Sequence, residues 1–340
     1  MLYTPSSPHF HANTSVRKIM MTVMLALVPG TILSVWFLGW GVLIQLGIAI
    51  IAGLFAEAIM LFIRRRPLTP FLGDGSVVLT GWFLALCIPP TAPWWIIVFG
   101  VVFAVVIAKH LYGGLGYNLF NPAMIGYAML LISFPKEMTQ WLNLPALALD
   151  NMSFSDAGRV IFGNPVATEL DAMSSATPLD YIKTQLGLER GLTEIQLGSS
   201  RFGNFGSASF EWIAIAFLLG GLWLIRRGVI QWQIPLAMLS TLFILASLFY
   251  MVDPERYSNP VFHLFAGATM LGAFFIATDP VSAATTPHGK IWFGIGIGAL
   301  VYVIRTWGGY PDGIAFAVLL MNLTAPTIDY YTRPKPFGHE

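Results

Sequence analysis

The chain has 340 residues, of which 56% are apolar and 10% are charged, and its mean hydropathy is +0.70. Water cannot solvate most of such a chain, so the composition excludes an ordinary water-soluble globular protein and indicates a helical membrane protein in contact with lipid. The net charge of +1 gives no reason to expect a nucleic-acid partner. The single cysteine, Cys87, excludes a disulfide framework and a cysteine-ligated iron–sulfur cluster built from this chain alone. Any electrons that the chain carries would therefore need an organic cofactor.

The apolar stretches predict an all-α polytopic membrane protein with about ten transmembrane helices. The first stretch is too long for the core of a signal peptide, and no A-x-A cleavage site follows it, so we expect a retained span. Several stretches are shorter than the roughly 20 residues of a simple span and contain Pro or Gly, which indicates broken or re-entrant helices. The predicted spans are 19–40, 42–63, 76–90, 94–108, 119–134, 210–225, 234–252, 261–278, 291–304 and 313–327.

A long segment, residues 135–209, divides these spans into five within residues 1–134 and five within residues 210–340. An odd number of spans in each half inverts the second half, which predicts a five-plus-five inverted repeat. Two pairs of runs support the repeat: GWFLALCIP (81–89) parallels GAFFIATDP (272–280), and GYNLFNPAMIGYAMLL (116–131) loosely parallels GYPDGIAFAVLL (309–320). The alternative is that Gly, Ala, Phe and Pro are common in any membrane helix.

The Lys and Arg residues are unevenly divided between the two sides of the predicted membrane. The short loops of one side hold only Arg256 and Arg305. By the positive-inside rule, the other side is cytoplasmic and holds both termini, and residues 135–209 face the periplasm. The basic residues of the cytoplasmic side are Arg17, Lys18, Arg64, Arg65, Arg66, Lys109, Arg226, Arg227, Lys290, Arg333 and Lys335.

The periplasmic segment contains the run DAMSSAT, which ends at Thr177 and is followed by PLD. Thr177 precedes a proline and stands three residues before Asp180, which predicts a helix N-cap and a helix that ends near Gly187. A phosphate ester at such a cap would lie beside free backbone N–H groups and the positive end of the helix dipole, so a cap and a phosphate site are compatible. The other residues of the run that matter here are Asp171, Ser174, Ser175 and Ala176.

This run resembles D-x-x-[ST]-[GS]-A-T, the signal at which a flavin transferase attaches FMN through a phosphoester to the final threonine in Rnf and sodium-pumping NADH:quinone oxidoreductase complexes. The version S-x-A-T-P-L-D resembles the D-subunit family of the Rnf electron-transport complexes. The resemblance implies covalent FMN on Thr177, with Asp171, Ser174, Ser175 and Ala176 as the recognition signal. Ser175 stands where many such sequences have Gly. No base flanks Thr177 in sequence, so the transferase is expected to activate its hydroxyl.

The resemblance extends over nearly the whole chain, through runs such as KHLYGGLGYNLFNPAMIGY (109–127), GATMLGAFFIATDP (267–280) and IDYYTRP (328–334). It implies a redox subunit, not catalytic alone, of a six-subunit complex in the bacterial inner membrane. That complex couples electron transfer between reduced ferredoxin and NAD to movement of Na⁺ or H⁺. A second flavinylated periplasmic subunit is the expected exchange partner. The resemblance also implies a second, non-covalent riboflavin in a polar cavity, for which Asn118, Asn121 and Asp312 are the candidate lining residues.

Several ionisable residues lie at membrane depth or at span ends. Glu57 is costly in hydrocarbon, so we expect it either on an ion path or in a static pair with a nearby cation. Asp279 and Asp312 are weaker candidates for the same path. For Lys109, Asp279 and Arg305, interfacial anchoring or snorkelling is the favoured interpretation. His263 is expected to be a helix-packing residue, and no metal site is predicted, because no second ligand stands at a suitable spacing.

Two other functions fit parts of the sequence. A non-redox solute channel or transporter also uses inverted repeats and broken helices. A purely structural assembly subunit is the other alternative. Neither explains a flavin-acceptor run on the periplasmic segment, and neither would carry a chromophore.

Overall fold

The structure is a computed structural model that describes residues 15–142, 152–163, 174–199, 202–203, 209–310 and 312–333. The regular secondary structure of these residues is mainly helical, which confirms the all-α prediction. They also form a short antiparallel pair between β1 (Trp141–Leu142) and β2 (Ser174–Ser175), in which Trp141 pairs with Ser175.

The first half of the chain begins with two long apolar helices. Ser15 starts the first helix by accepting a hydrogen bond from the Lys18 backbone N–H, and Asn121 starts the last one by accepting from the N–H groups of Ala123 and Met124. The elements are α1 (Val16–Leu38), α2 (Gly41–Ile63), α3 (Leu68–Leu72), α4 (Ser76–Cys87), α5 (Trp94–Phe103), its π-helical extension π1 (Ala104–His110) and α6 (Pro122–Ser133).

The segment between the halves carries short helices. They are α7 (Pro135–Thr139), α8 (Phe154–Phe162), α9 (Pro178–Gly187) and α10 (Leu192–Leu197). The last of these is tied to the second half, because the Leu192 backbone N–H donates to the Glu255 carbonyl at 3.0 Å.

The second half again contains long helices around a broken one. The elements are α11 (Phe210–Arg226), α12 (Gln233–Val252), α13 (Pro260–Phe265), α14 (Thr269–Leu271), the π-helical turn π2 (Gly272–Ile276), α15 (Pro287–Trp307) and α16 (Ile314–Tyr331).

Six stretches of the described chain are long and apolar enough to cross a membrane. Two predicted spans, 94–108 and 119–134, correspond to the shorter apolar helices Trp94–His110 and Pro122–Ser133. The predicted span 261–278 is not one helix, because the chain leaves helical geometry at Gly267, whose φ is +61°. The six stretches are Val16–Leu38, Gly41–Ile63, Leu68–Cys87, Gln233–Val252, Pro287–Trp307 and Ile314–Tyr331.

Helices α1 and α11 pack closely along their length through small residues. A Cβ on Gly220 would lie 2.4 Å from the Ala26 carbonyl oxygen, and a Cβ on Gly30 would overlap the Phe217 ring. Small residues let membrane helices approach this closely. A cavity opens near each end of the α1–α11 pair.

Candidate functional site

Thr177 is the N-cap of α9, as the sequence predicts. Its backbone is extended, at φ −60° and ψ 157°, and its Oγ1 accepts a hydrogen bond of 3.2 Å from the Asp180 backbone N–H. Pro178 occupies the first helical position, where its missing N–H costs nothing. The half-buried Thr177 hydroxyl thus lies at the positive end of a helix, where an anionic substituent is favoured.

The residues before Thr177 are held by the β1–β2 pair. Ser174 and Ser175 form β2, and their strand pairs with Leu142 and Trp141 just beyond α7. Asp171 lies outside the described residues, so its predicted place in the recognition signal stays a prediction. Ala176 is half-buried between the strand and the cap.

A cavity opens beside the Thr177 cap, and we call it the Thr177 cavity. Its walls come from the C-terminal part of α1, the ends of α4 and α6, the start of α11 and the break between α13 and α14. Most of its lining is apolar, and the polar groups include Thr177, Asp180 and Asp312. The aromatic residues in its wall are Tyr127, Trp141, Phe210 and Phe217. Such a mainly apolar wall with a few polar groups is typical of a site for a planar organic cofactor.

Asp180 and Lys183 set the charge near the cap. Burial raises the pKa of Asp180, and the neighbouring Lys183 offsets part of that rise. Burial also lowers the pKa of Lys183. The Lys183 ammonium donates to the carbonyls of Ile304, Arg305 and Tyr310 at 3.3, 3.4 and 3.0 Å. Lys183 therefore fastens α9 to the carbonyl-rich end of α15.

Arg305 is buried beside the break between α13 and α14, so it does not snorkel to the surface as expected. The side chain is 1% exposed, and its Nη2 lies 3.0 Å from Asp312 Oδ1. The guanidinium also donates to the His263 carbonyl at 2.7 Å and to Thr269 Oγ1 at 2.8 Å. These carbonyl and hydroxyl groups are freed by the helix break, so Arg305 satisfies the broken backbone inside the protein.

Asp312 holds the same break from the other side. Its Oδ2 accepts from the Ala268 backbone N–H at 2.8 Å, and its Oδ1 accepts from the Ile314 N–H at 3.2 Å. A Cβ on Gly267 would lie 2.4 Å from the Asp312 carboxylate, which explains the glycine at this left-handed position. The sequence placed Asp312 beside Asn118 and Asn121, but the structure separates them: Asp312 lines the Thr177 cavity, and both asparagines line a different one.

The second cavity, which we call the Asn118 cavity, lies at the opposite end of the α1–α11 pair. The start of α1 and the end of α11 line it, together with Asn118, Asn121 and Asp279. Asn121 accepts from two N–H groups of α6 and donates to the Ile276 carbonyl at 3.5 Å. Asn118 donates to the Phe120 carbonyl at 3.0 Å, but its buried Oδ1 has no hydrogen-bond partner among the described residues. An unsatisfied buried acceptor in a cavity wall marks a position where a ligand donor would be favoured.

Glu57 is buried in an ionic cluster at the same side of the protein. The Lys109 ammonium lies 2.8 and 2.9 Å from its two carboxylate oxygens and 2.9 Å from Ser76 Oγ. His110 Nε2 lies 3.1 Å from Glu57, and Arg64 Nη1 lies 3.3 Å from His110 Nδ1. Lys109 lines the Asn118 cavity and is 2% exposed, so its ammonium is paired inside the protein and does not snorkel to the surface as expected. A static cationic partner for Glu57 is therefore present.

Asp279 is half-buried just after π2, where its carboxylate accepts hydrogen bonds from Ser282 Oγ at 2.8 Å and from the Val281 N–H at 3.3 Å.

His263 packs against the Tyr302 ring with centroids 5.4 Å apart, as expected of a packing residue, although its Nδ1 has no hydrogen-bond partner in the described chain. Within the described ranges, no three His, Cys, Asp or Glu side chains cluster as metal ligands would.

Sequence reasoning missed the partners of the buried cations. Lys109 and His110 follow the apolar residues Val105–Ala108 without a break in the helical pattern, and that continuity was the signal for burial. The bonds of Lys109 to Glu57 and Ser76 span 52 and 33 residues of chain, so local patterns could not show them.

Comparisons with known proteins place this arrangement in context. A protein-family model described as "NQR2, RnfD, RnfE family" matches residues 3–338. The chain is 51% identical to the D subunit of the ion-translocating oxidoreductase complex of Aliivibrio salmonicida (strain LFI1238), over 99% of each chain. It is 49% identical to the protein of the same name from Aeromonas salmonicida (strain A449), over 99% of each chain. It is also 49% identical to that of Escherichia coli (strain SE11), over 98% of this chain and 97% of the relative. The similarity therefore covers both the membrane helices and the segment that carries Thr177.

Proposed function

Because the chain belongs to the NQR2, RnfD, RnfE family, we propose that it is the D subunit of an Rnf-type ion-translocating oxidoreductase complex in a bacterial inner membrane. The complex would contain six subunits and couple electron transfer between reduced ferredoxin and NAD to the movement of Na⁺ or H⁺. This chain is its electron relay, and it works only within the complex.

The relay group is FMN, esterified to Thr177 by a flavin transferase. FMN accepts and releases electrons one at a time, which suits a relay. The observation that carries this proposal is the position of the Thr177 hydroxyl, at a helix N-terminus on the wall of a mainly apolar cavity. The N-terminus of α9 favours the phosphate, because its free N–H groups and the helix dipole attract negative charge.

The residues around the Thr177 cavity fit the rest of the cofactor. Its aromatic side chains would hold a planar ring system, and its apolar lining would keep water from the ring. Arg305 and Asp312 fix the break between α13 and α14, so that wall is held in one arrangement. The residues of this chain thus position the cofactor, while the exchange partner is expected to be a second flavinylated periplasmic subunit.

The Asn118 cavity is the proposed site of a second, non-covalent flavin, namely riboflavin. Asn118 Oδ1 is buried without a partner among the described residues, and ring N–H groups or ribityl hydroxyls of riboflavin could donate to it. Asn121 and Asp279 supply further polar groups in the same wall. The two cavities lie at opposite ends of the α1–α11 pair, so the two flavins would lie toward opposite faces of the membrane.

The five-plus-five repeat is proposed on a structural correspondence. In each half, a cation near the end of one helix binds a hydroxyl just after a break in the preceding helix: Lys109 of π1 binds Ser76 at the start of α4, and Arg305 of α15 binds Thr269 at the start of α14. Each break contains a glycine with positive φ, Gly75 in one half and Gly267 in the other. With both termini cytoplasmic, the Thr177 cavity would open toward the periplasm and the Asn118 cavity toward the cytoplasm.

The ion path is proposed to include Glu57, with Asp279 and Asp312 as further candidates. Glu57 and Lys109 lie on the same side of the protein as the Asn118 cavity, where an ion could enter from the cytoplasm. Lys109 already neutralises Glu57, so an ion could reach this carboxylate only if the ammonium moved away. The static pair remains the alternative, and the variant Glu57→Gln distinguishes the two.

The direct test of the relay is fluorescence of the purified subunit after denaturing gel electrophoresis. We expect a fluorescent band at the position of this chain, because an ester-linked flavin survives denaturation. A solute channel or an assembly subunit would give a dark band. The control is the same gel after expression without a flavin transferase, in which the band should disappear while the chain still accumulates.

A further inference from the structure

Helix α8 (Phe154–Phe162) leaves an apolar edge uncovered. Ala157 and Ile161 are buried against the protein, whereas Phe154 and Phe162 are 59% and 60% exposed. At about 3.6 residues per turn, Ser155, Asp156 and Arg159 lie on the opposite face from Ala157 and Ile161, and Phe154 and Phe162 border the buried face. The helix therefore has one polar face and a wide apolar face that the described chain covers only in part.

The position of α8 relates it to the membrane surface. The Phe154 ring contacts Trp40 edge-on, with centroids 6.0 Å apart, and Trp40 stands at the turn between α1 and α2. Successive membrane helices run in opposite directions, so the end of one helix and the start of the next lie on the same side of the membrane. Five other exposed tryptophans lie near such helix ends on the side of Trp40. They are Trp36, Trp94, Trp95, Trp212 and Trp307. Exposed tryptophans at one level mark the boundary between lipid tails and water.

We propose that α8 is an interfacial helix that lies on the membrane surface, with the rings of Phe154 and Phe162 inserted among the lipids. A short amphipathic helix beside an aromatic belt fits the boundary of headgroups and acyl chains, where its polar face stays in water. The occupant of the uncovered edge is thus lipid and not another protein. The helix lies on the same side of the protein as the Thr177 cavity.

The test replaces Phe154 or Phe162, one at a time, with the photoreactive residue benzoylphenylalanine in the full complex in native membrane vesicles. Both replacements are aromatic for aromatic at exposed positions, so the fold should be kept. Irradiation should give lipid adducts at both positions, detected by mass spectrometry of the subunit. The matched control is the same residue at Arg159, on the polar face, where lipid adducts should be at least several-fold fewer.

Crosslinks from Phe154 and Phe162 to another protein would overturn the proposal, because the edge would then be a subunit interface. Absence of any adduct at both positions would also overturn it, because water would then cover the rings. Equal lipid adducts at Arg159 would contradict the orientation of the helix. None of these outcomes changes whether Thr177 carries FMN, so the test is independent of the proposed function.

Discussion

The Lys109 ammonium lies within 2.9 Å of both carboxylate oxygens of Glu57, and the two side chains are 3% and 2% exposed. The pair is therefore almost fully buried inside the helical bundle. Removing one member of such a pair leaves an uncompensated charge, whereas removing both members costs much less. This asymmetry makes the pair testable by single and double substitution.

Lys109→Met should destabilise the protein by about 3–5 kcal/mol, because Glu57 would be left without its main counter-ion. The measurement is the midpoint of thermal unfolding of the purified complex, followed by loss of assembled subunit. The double variant Lys109→Met with Glu57→Gln is the matched control and should recover most of the loss. A single variant as stable as the unsubstituted protein would show that the pair contributes little.

Glu57→Gln should impair ion-coupled turnover more than assembly or flavin content. Gln keeps nearly the same shape and one acceptor oxygen for Lys109, while the charge that attracts an ion is lost. The ammonium left without its counter-ion should lower assembly as well, but by less than it lowers coupling. The measurement is Na⁺ or H⁺ transported per electron in reconstituted vesicles, compared with the amount of assembled complex. Unchanged coupling together with lost assembly would favour the static pair and remove Glu57 from the proposed path.

Asn118→Leu should release the non-covalent flavin and leave the covalent one in place. The substitution removes the buried Oδ1 that has no partner in the described chain and keeps a side chain of similar size. The measurement is flavin extracted by acid precipitation, relative to flavin that stays with the precipitated subunit. Full retention of extractable flavin would show that the Asn118 cavity is not its site.

The membrane orientation predicts different outcomes for reporters fused at two places. A periplasm-active enzyme inserted within residues 135–209 should be active, and the same enzyme fused after Tyr331, at the end of α16, should be inactive. A cytoplasm-active reporter should give the reverse at each position and serves as the control. If the periplasm-active enzyme were active only when fused after Tyr331, the orientation would be the opposite of the one predicted.

Local patterns in the sequence predicted the helices and the Thr177 cap, because caps and apolar stretches depend on neighbouring residues. Thr177, Pro178 and Asp180 stand in the predicted roles. The sequence did not predict the burial of Lys109 and Arg305, because their partners lie on other helices and depend on packing. It also did not predict the π-helical turns, which contain Lys109 and follow the break at Gly267. Asp312 was assigned to the wrong cavity for the same reason.

Thr177→Asn separates the proposed attachment of FMN at Thr177 from the role of Thr177 as a helix cap. Asn caps a helix about as well as Thr, whereas loss of the cap altogether would cost roughly 1 kcal/mol. The variant has no hydroxyl to esterify, so it should insert, assemble and keep α9 while electron transfer is lost. Thr177→Ser keeps a hydroxyl and should retain some flavin if the transferase accepts serine.

The most direct measurement is peptide mass spectrometry of the proteolysed subunit. The peptide containing Thr177 should carry one FMN phosphoester in the unsubstituted protein and none in Thr177→Asn. An FMN adduct on any other peptide, or covalent FMN that persists in Thr177→Asn, would contradict the attachment of FMN at Thr177.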